Sequence, residues 1–118
     1  LTDVTSALLL ALGDLPACAR ASFEREEQPL PILTVAEENA SVFAQADGEP
    51  YLEEHHLRLD AYAASAGALH ELADSALERA QTLGLRLVSR QEDFDQEAYA
   101  HHAALSFRCL THQDTIYQ

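Results

Sequence analysis

Two adjacent histidine pairs, His55-His56 and His101-His102, stand with Glu53, Glu54 and Asp60 in reach. Imidazole and carboxylate together are a donor set that divalent ions take. The spacing speaks against a metal site. Neighbours on a strand point to opposite faces, and the chain has no His-x-His or His-x3-His pattern, so neither pair chelates by itself. A nucleophile could be sought in Cys109 or Ser106 with His101, His102 or His112, but no Gly-x-Ser-x-Gly elbow and no papain-like cysteine context surrounds them. The carboxylates invite a glycosidase pair, yet unpatterned acids on a chain this acidic read as solvated faces. Gly13, Gly48, Gly67 and Gly84 are isolated, so no phosphate loop is present. Cys18 and Cys109 have no close spacing, which makes buried, reduced thiols the expectation. Asn39-Ala40-Ser41 matches a glycosylation acceptor by chance composition. No catalytic residue, cofactor or metal is expected.

The elements that must position these residues belong to one domain, 1–118. Twenty Asp and Glu face seven Arg and no Lys, a formal charge of −13, while 47% of the residues are hydrophobic. That charge opposes binding to phosphate backbones and to anionic membranes, which leaves protein partners. The longest apolar run, 4–12, is too short for a membrane span, and Asp3 rather than a basic region precedes it, so no secretory leader is expected.

Thr2 or Asp3 can cap a short helix over 4–12 that Gly13 ends. Residues 14–31, interrupted by Pro16, Pro29 and Pro31, read as irregular, with 17–23 as a further helical turn. β-Branched 32–35 predicts a short strand, with 39–43 prolonging it after a break. Asp47-Gly48 is the strongest turn signal. After it, Leu57, Leu59 and Ala61 alternate with His56, Arg58, Asp60 and Tyr62, the pattern of a half-buried strand whose polar face is either functional or merely solvated. Ser65 caps a helix with Leu69, Leu72, Ala73, Ala76, Leu77, Ala80 and Leu83 inward and Gly84 at its end. Residues 86–90 form a strand, 91–97 an acidic, solvated turn, and 103–111 a last strand with Leu105, Phe107 and Cys109 inward. The expected fold is α+β: a mainly antiparallel four-stranded sheet packed against one long helix, about 65–83, and a short N-terminal helix.

The order of these pieces resembles the tail terminator or tail-completion proteins of long-tailed bacteriophages and prophages. The resemblance covers roughly the C-terminal two thirds. It runs through Leu30-Pro31-Ile32-Leu33-Thr34-Val35, the Ala46-Asp47-Gly48 turn, Tyr51-Leu52, Leu57-Arg58-Leu59-Asp60-Ala61-Tyr62-Ala63 and the Ser-capped helix. It continues in Leu83-Gly84-Leu85-Arg86, Glu92-Asp93-Phe94-Asp95, Tyr99-Ala100-His101-His102, Leu105-Ser106-Phe107-Arg108 and Thr115-Ile116-Tyr117-Gln118. The N-terminal third matches only loosely.

The resemblance implies a structural virion protein and no reaction. Its subunits would form a hexameric ring that caps the finished tail tube and docks on a head-side connector or stopper, at the tail–neck junction after assembly in the host cytoplasm. DNA would pass without sequence-specific contact, and an acidic ring would repel its phosphates. Asp60, Tyr62, Arg86, Tyr99, His101 and Arg108 are the candidate interface residues. Glu24, Glu26, Glu27, Glu37, Glu38, Asp47 and Glu49 are the candidate partner or channel loops. The alternative is a small acidic adaptor that dimerises through a sheet edge.

Overall fold

The computed structural model describes residues 3–19, 29–46, 49–112 and 115–117, with the side chains of 19, 42–46, 49–51 and 117 left aside. Helix α1, Val4–Leu12, starts at Asp3, whose carboxylate accepts from the Ser6 N–H at 3.0 Å, and it buries Val4, Leu8 and Leu12 one turn apart. Helix α2, Ala66–Leu83, starts at Ser65, whose hydroxyl accepts from the Ala68 N–H at 3.1 Å. Gly84 ends it at φ +116°, and a Cβ there would crowd the Ile116 carbonyl at 3.2 Å, so glycine serves both the turn and the approach.

The strands are β1 (Ala17–Ala19), β2 (Ile32–Ala46), β3 (Glu49–Ala63), β4 (Arg86–Asp95), β5 (Ala100–His112) and β6 (Thr115–Tyr117). They form one sheet in the order β1-β2-β3-β5-β4, with β6 also paired to β5. Only β1 and β2 pair in parallel. Because β3 and β4 are each antiparallel to β5, the α2 connection joins two parallel strands with β5 inserted between them. Leu110 and Thr111 of β5 already pair with β3, so β6 lies on the β4 side, continuing that edge.

The sheet thus has six strands, not four, and the extra ones explain themselves. β1 occupies the stretch expected to be a helical turn, and three residues carry no period to read. Pro16 still accepts the Leu33 N–H, which fixes β1 beside β2. β6 is equally short. The break foreseen after Val35 is a register shift between Glu37 and Asn39, a bulge that lets β2 run on for 15 residues. The acidic 91–95 stretch is strand rather than turn. It forms the far half of β4, and the turn is confined to 96–99.

Both helices cover one face of the sheet. Leu33, Val35, Leu57, Leu59, Ala61, Leu105, Phe107 and Cys109 point into that core, where Ala73, Ala76 and Ala80 let α2 approach closely. Beyond Glu53, the last β3 residue before the tip that pairs with β5, β2 and β3 continue as a two-stranded ribbon. They pair as far as Ala46 opposite Glu49, while the Asp47-Gly48 turn itself lies outside the described residues. The radius of gyration is 15.0 Å, against about 13.5 Å for a compact domain of this length.

Candidate functional site

Strand parity sends His56, Arg58, Asp60 and Tyr62 to the face opposite α1 and α2, and β5 adds His102 and Arg108 to it. At one end of that face the register lines up Ile32, Tyr62, His102 and Asp93 across four strands. His102 Nε2 lies 2.7 Å from Asp60 Oδ1, and its Nδ1 lies 2.9 Å from Asp93 Oδ1. Arg58 grips Asp60 from the other side, Nε donating at 3.0 and 3.1 Å and Nη2 at 3.0 Å. The Tyr62 ring stacks on the imidazole, centroids 4.7 Å apart.

The centre of this cluster is buried, with Asp93 and Arg58 at its exposed rim. Asp60, Tyr62 and His102 are 6%, 7% and 8% exposed. Ile32, Tyr62, Ala98 and Ala100 form a second small core, with Cys18 and Leu30 packed against it. Burial opposes the His102 charge, yet the bonds to Asp60 and Asp93 outweigh it and hold the imidazole above its ordinary value. Burial likewise pushes Asp60 upward, but His102 and then Arg58 hold its carboxyl below the usual range. Burial, then the nearby Asp60, raises the Tyr62 hydroxyl to about 12.

An imidazolium giving both N–H groups to carboxylates has no lone pair to accept a proton and no unshared proton to donate. The cluster is therefore closed to general acid or base work while both bonds stand. One atom beside it is unsatisfied: Thr34, opposite Asp60 in register, has its buried hydroxyl without a partner.

At the other end of the same face, Glu54 accepts from His56 Nε2 at 2.7 Å and from Arg108 at 3.4 Å. The His56 bond, then Arg108, lowers the Glu54 carboxyl. Arg86 stands directly opposite Arg108 and is exposed.

The covered face holds a different arrangement. His55 Nδ1 lies 2.5 Å from Glu37 Oε1 and its Nε2 lies 3.0 Å from Thr111 Oγ1. Acid, imidazole and hydroxyl in line have the composition of a nucleophilic triad, but Thr111 is 1% exposed, so no substrate carbonyl can reach it. Cys109, beside His55 in register, is pushed up to about 11 by burial and by Glu37, an inert core thiol. It is not joined to Cys18.

The structure brings together Asp60 and Tyr62 of the candidate interface residues, with Arg86 and Arg108 facing each other farther along. Tyr99 and His101 sit elsewhere, at the β4–β5 turn, each edge-on to Phe94 with centroids 5.4 and 5.2 Å apart. Tyr99 has φ +51° and is 75% exposed. Of the candidate loop acids, Glu37 is bound into the His55 relay, Glu38 is exposed at the bulge, and Glu49 opens β3. Glu24, Glu26, Glu27 and Asp47 lie outside the described residues. His102, Asp93, Thr34, His55 and Thr111 were not singled out as a cluster. The sequence signal available was parity alone, which puts Asp60 and Tyr62 on one face of β3 but does not say which strand lies alongside.

Among the described residues no group of three or more His, Cys, Asp or Glu could hold a metal ion. A groove of about 570 Å³ between the helices is lined by Ala11, Ser75, Glu78, Arg79, Thr82 and Leu83, remote from both histidine networks. No helix among the described residues is long and apolar enough to cross a membrane. What the described residues define is an α+β architecture with two helices on a six-stranded, mostly antiparallel sheet. The chain matches no family model, and no curated protein is significantly similar to it.

Proposed function

We propose that this protein is a structural subunit of a phage tail. It would act as a terminator: a ring, hexameric by resemblance, that caps the completed tube, meets the head-side connector or stopper, and lets the genome through. The observation that carries the reading is the β2–β3 ribbon. A two-stranded hairpin is at best marginally stable alone in water, so an arm that continues past the sheet needs something to lie against. A neighbouring subunit or the tube end supplies it.

Two further features support assembly over catalysis. The two clusters in which both ring nitrogens of a histidine are engaged, at His55 and His102, are buried, which fits a role in which no bond is made or broken. The charge of −13 fits an annulus that DNA crosses without adhering. The protein would work in the host cytoplasm during assembly and in the virion at the tail–neck junction. The open β4 edge favours one other reading, an adaptor dimerising edge to edge, which predicts twofold rather than ring symmetry.

The test adds purified protein to growing tubes of the tail-tube protein encoded with it and images them. Terminator activity gives tubes capped at one end that stop elongating. Tubes that grow on unchanged would refute it.

A further inference from the structure

We propose that the exposed Arg86, with Arg108 opposite it, is the seat for the acidic β2–β3 arm of a second copy of this chain. The proposal rests on the ring reading and names the contact that would close the ring.

Arg86 is the first residue of β4, the outer strand of the sheet. Among the described residues, Arg58, Arg79, Arg90 and Arg108 each make an ion pair, and Arg86 makes none. The pair Arg86 and Arg108 is also the one place among them where two arginines face each other across neighbouring strands. Like charges so placed repel. The carboxylate that relieves them, Glu54, is shared with His56 and reaches Arg108 only at 3.4 Å, beyond the 2.7–2.9 Å typical of a charge-assisted bond. The site therefore has room, geometrically and electrostatically, for another carboxylate.

The arm carries what the site lacks. Residues 37–54 hold six carboxylates, Glu37, Glu38, Asp47, Glu49, Glu53 and Glu54, and no basic residue. The arm cannot serve its own Arg86. Arg108 pairs with His56, and β3 runs from there seven residues outward to Glu49, roughly 23 Å at about 3.3 Å per residue. Glu54 stays with its own Arg108 and Glu37 with its own His55, but beyond Glu53 the arm leads away from the arginines of its own chain and toward those of another.

Two positions from Arg86, β4 leaves Val88 60% exposed. The register shift between Leu87 and Ser89 interrupts the outer backbone, so side chains rather than a continued ladder make the contact. The two surfaces differ, which makes the contact head-to-tail, the kind that closes into a ring. Between chains of net charge −13, it puts local attraction where overall repulsion must be overcome.

A charge exchange tests this with the full-length chain. One variant reverses the seat, Arg86→Glu with Arg108→Gln, and the other reverses the arm, Glu49→Arg with Glu53→Arg. Mass is measured by light scattering at low and at high salt with tail-tube protein present, and circular dichroism checks that each variant is folded. Each variant alone is expected to lose the ring mass. Mixed in equal amounts they should regain it, because each arm then meets the opposite charge around an alternating ring. A ring formed by either variant alone, or a mixture that fails to recover, overturns the docking while wild-type rings leave the ring reading standing. Wild-type protein that never exceeds the single-chain mass overturns both.

Discussion

His55 and His102 are held in similar clamps on opposite faces of one sheet, and the clamps behave differently. His55 lies between a carboxylate and a hydroxyl under the helices. His102 lies between two carboxylates on the face opposite α1 and α2, with a tyrosine ring stacked on it. A hydroxyl can give or take the hydrogen bond, so a neutral ring is satisfied beside Thr111. Two carboxylates can only accept, so His102 is satisfied fully only when charged. Burial acts on both, but only the second site turns it into a charged network that also fixes Arg58. The covered face is held by apolar packing with one polar relay, and the far end of the other face by ionic bonds with a small apolar patch.

Breaking the ionic side should have the largest effect. Asp60→Asn leaves His102 and Arg58 without their shared anion and is expected to cost about 3 kcal/mol in denaturant unfolding. A loss under about 1 kcal/mol would mean that the network adds little to stability. On the covered side, Thr111→Val strands the His55 Nε2 in the core and should cost about 2 kcal/mol by the same measurement.

The pH dependence of stability follows from the His102 clamp. The folded His102 value is raised, so its contribution is complete below the unfolded value of roughly 6.5. It is then lost as pH rises through the folded value. Asp60 is lowered, so its contribution is present above roughly 3.9 and lost as pH falls through its folded value. Unfolding curves should therefore show stability declining on the alkaline side, and His102→Gln should flatten that decline. An NMR titration that placed His102 at or below the ordinary histidine value would contradict the clamp.

The smallest effect sharpens the contrast between two threonines that are equally buried. Thr34→Val removes a hydroxyl that has no partner, so it should be neutral or stabilising by up to about 1 kcal/mol, opposite in sign to Thr111→Val. A clear destabilisation would show that the Thr34 hydroxyl is satisfied after all.

What could be read from the chain was local. Ser65, the apolar spacing and Gly84 define α2, and alternation assigns the faces of β3 and β5 because each has one mostly apolar side. Asp60 and Tyr62 stood out for the same reason. Their pairing with His102 is not legible, because period tells which face a residue occupies but not which strand lies beside it. His102 is 42 residues from Asp60, and the register alone brings them together. One position separates His101, a candidate interface residue, from His102, and on a strand that is the difference between the Phe94 edge and the carboxylate clamp. The far half of β4 escaped because Glu92, Asp93 and Asp95 mask its alternation with charge, and β1 and β6 because three residues hold less than one readable period.

The most direct measurement is the mass of the purified protein by light scattering, at low and high salt, with and without the tail-tube protein. A ring subunit is expected to give a species near six times 13.0 kDa, favoured by the tube protein and by salt, which screens repulsion between acidic copies. A mass that stays at one or two chains under every condition would contradict the assembly reading.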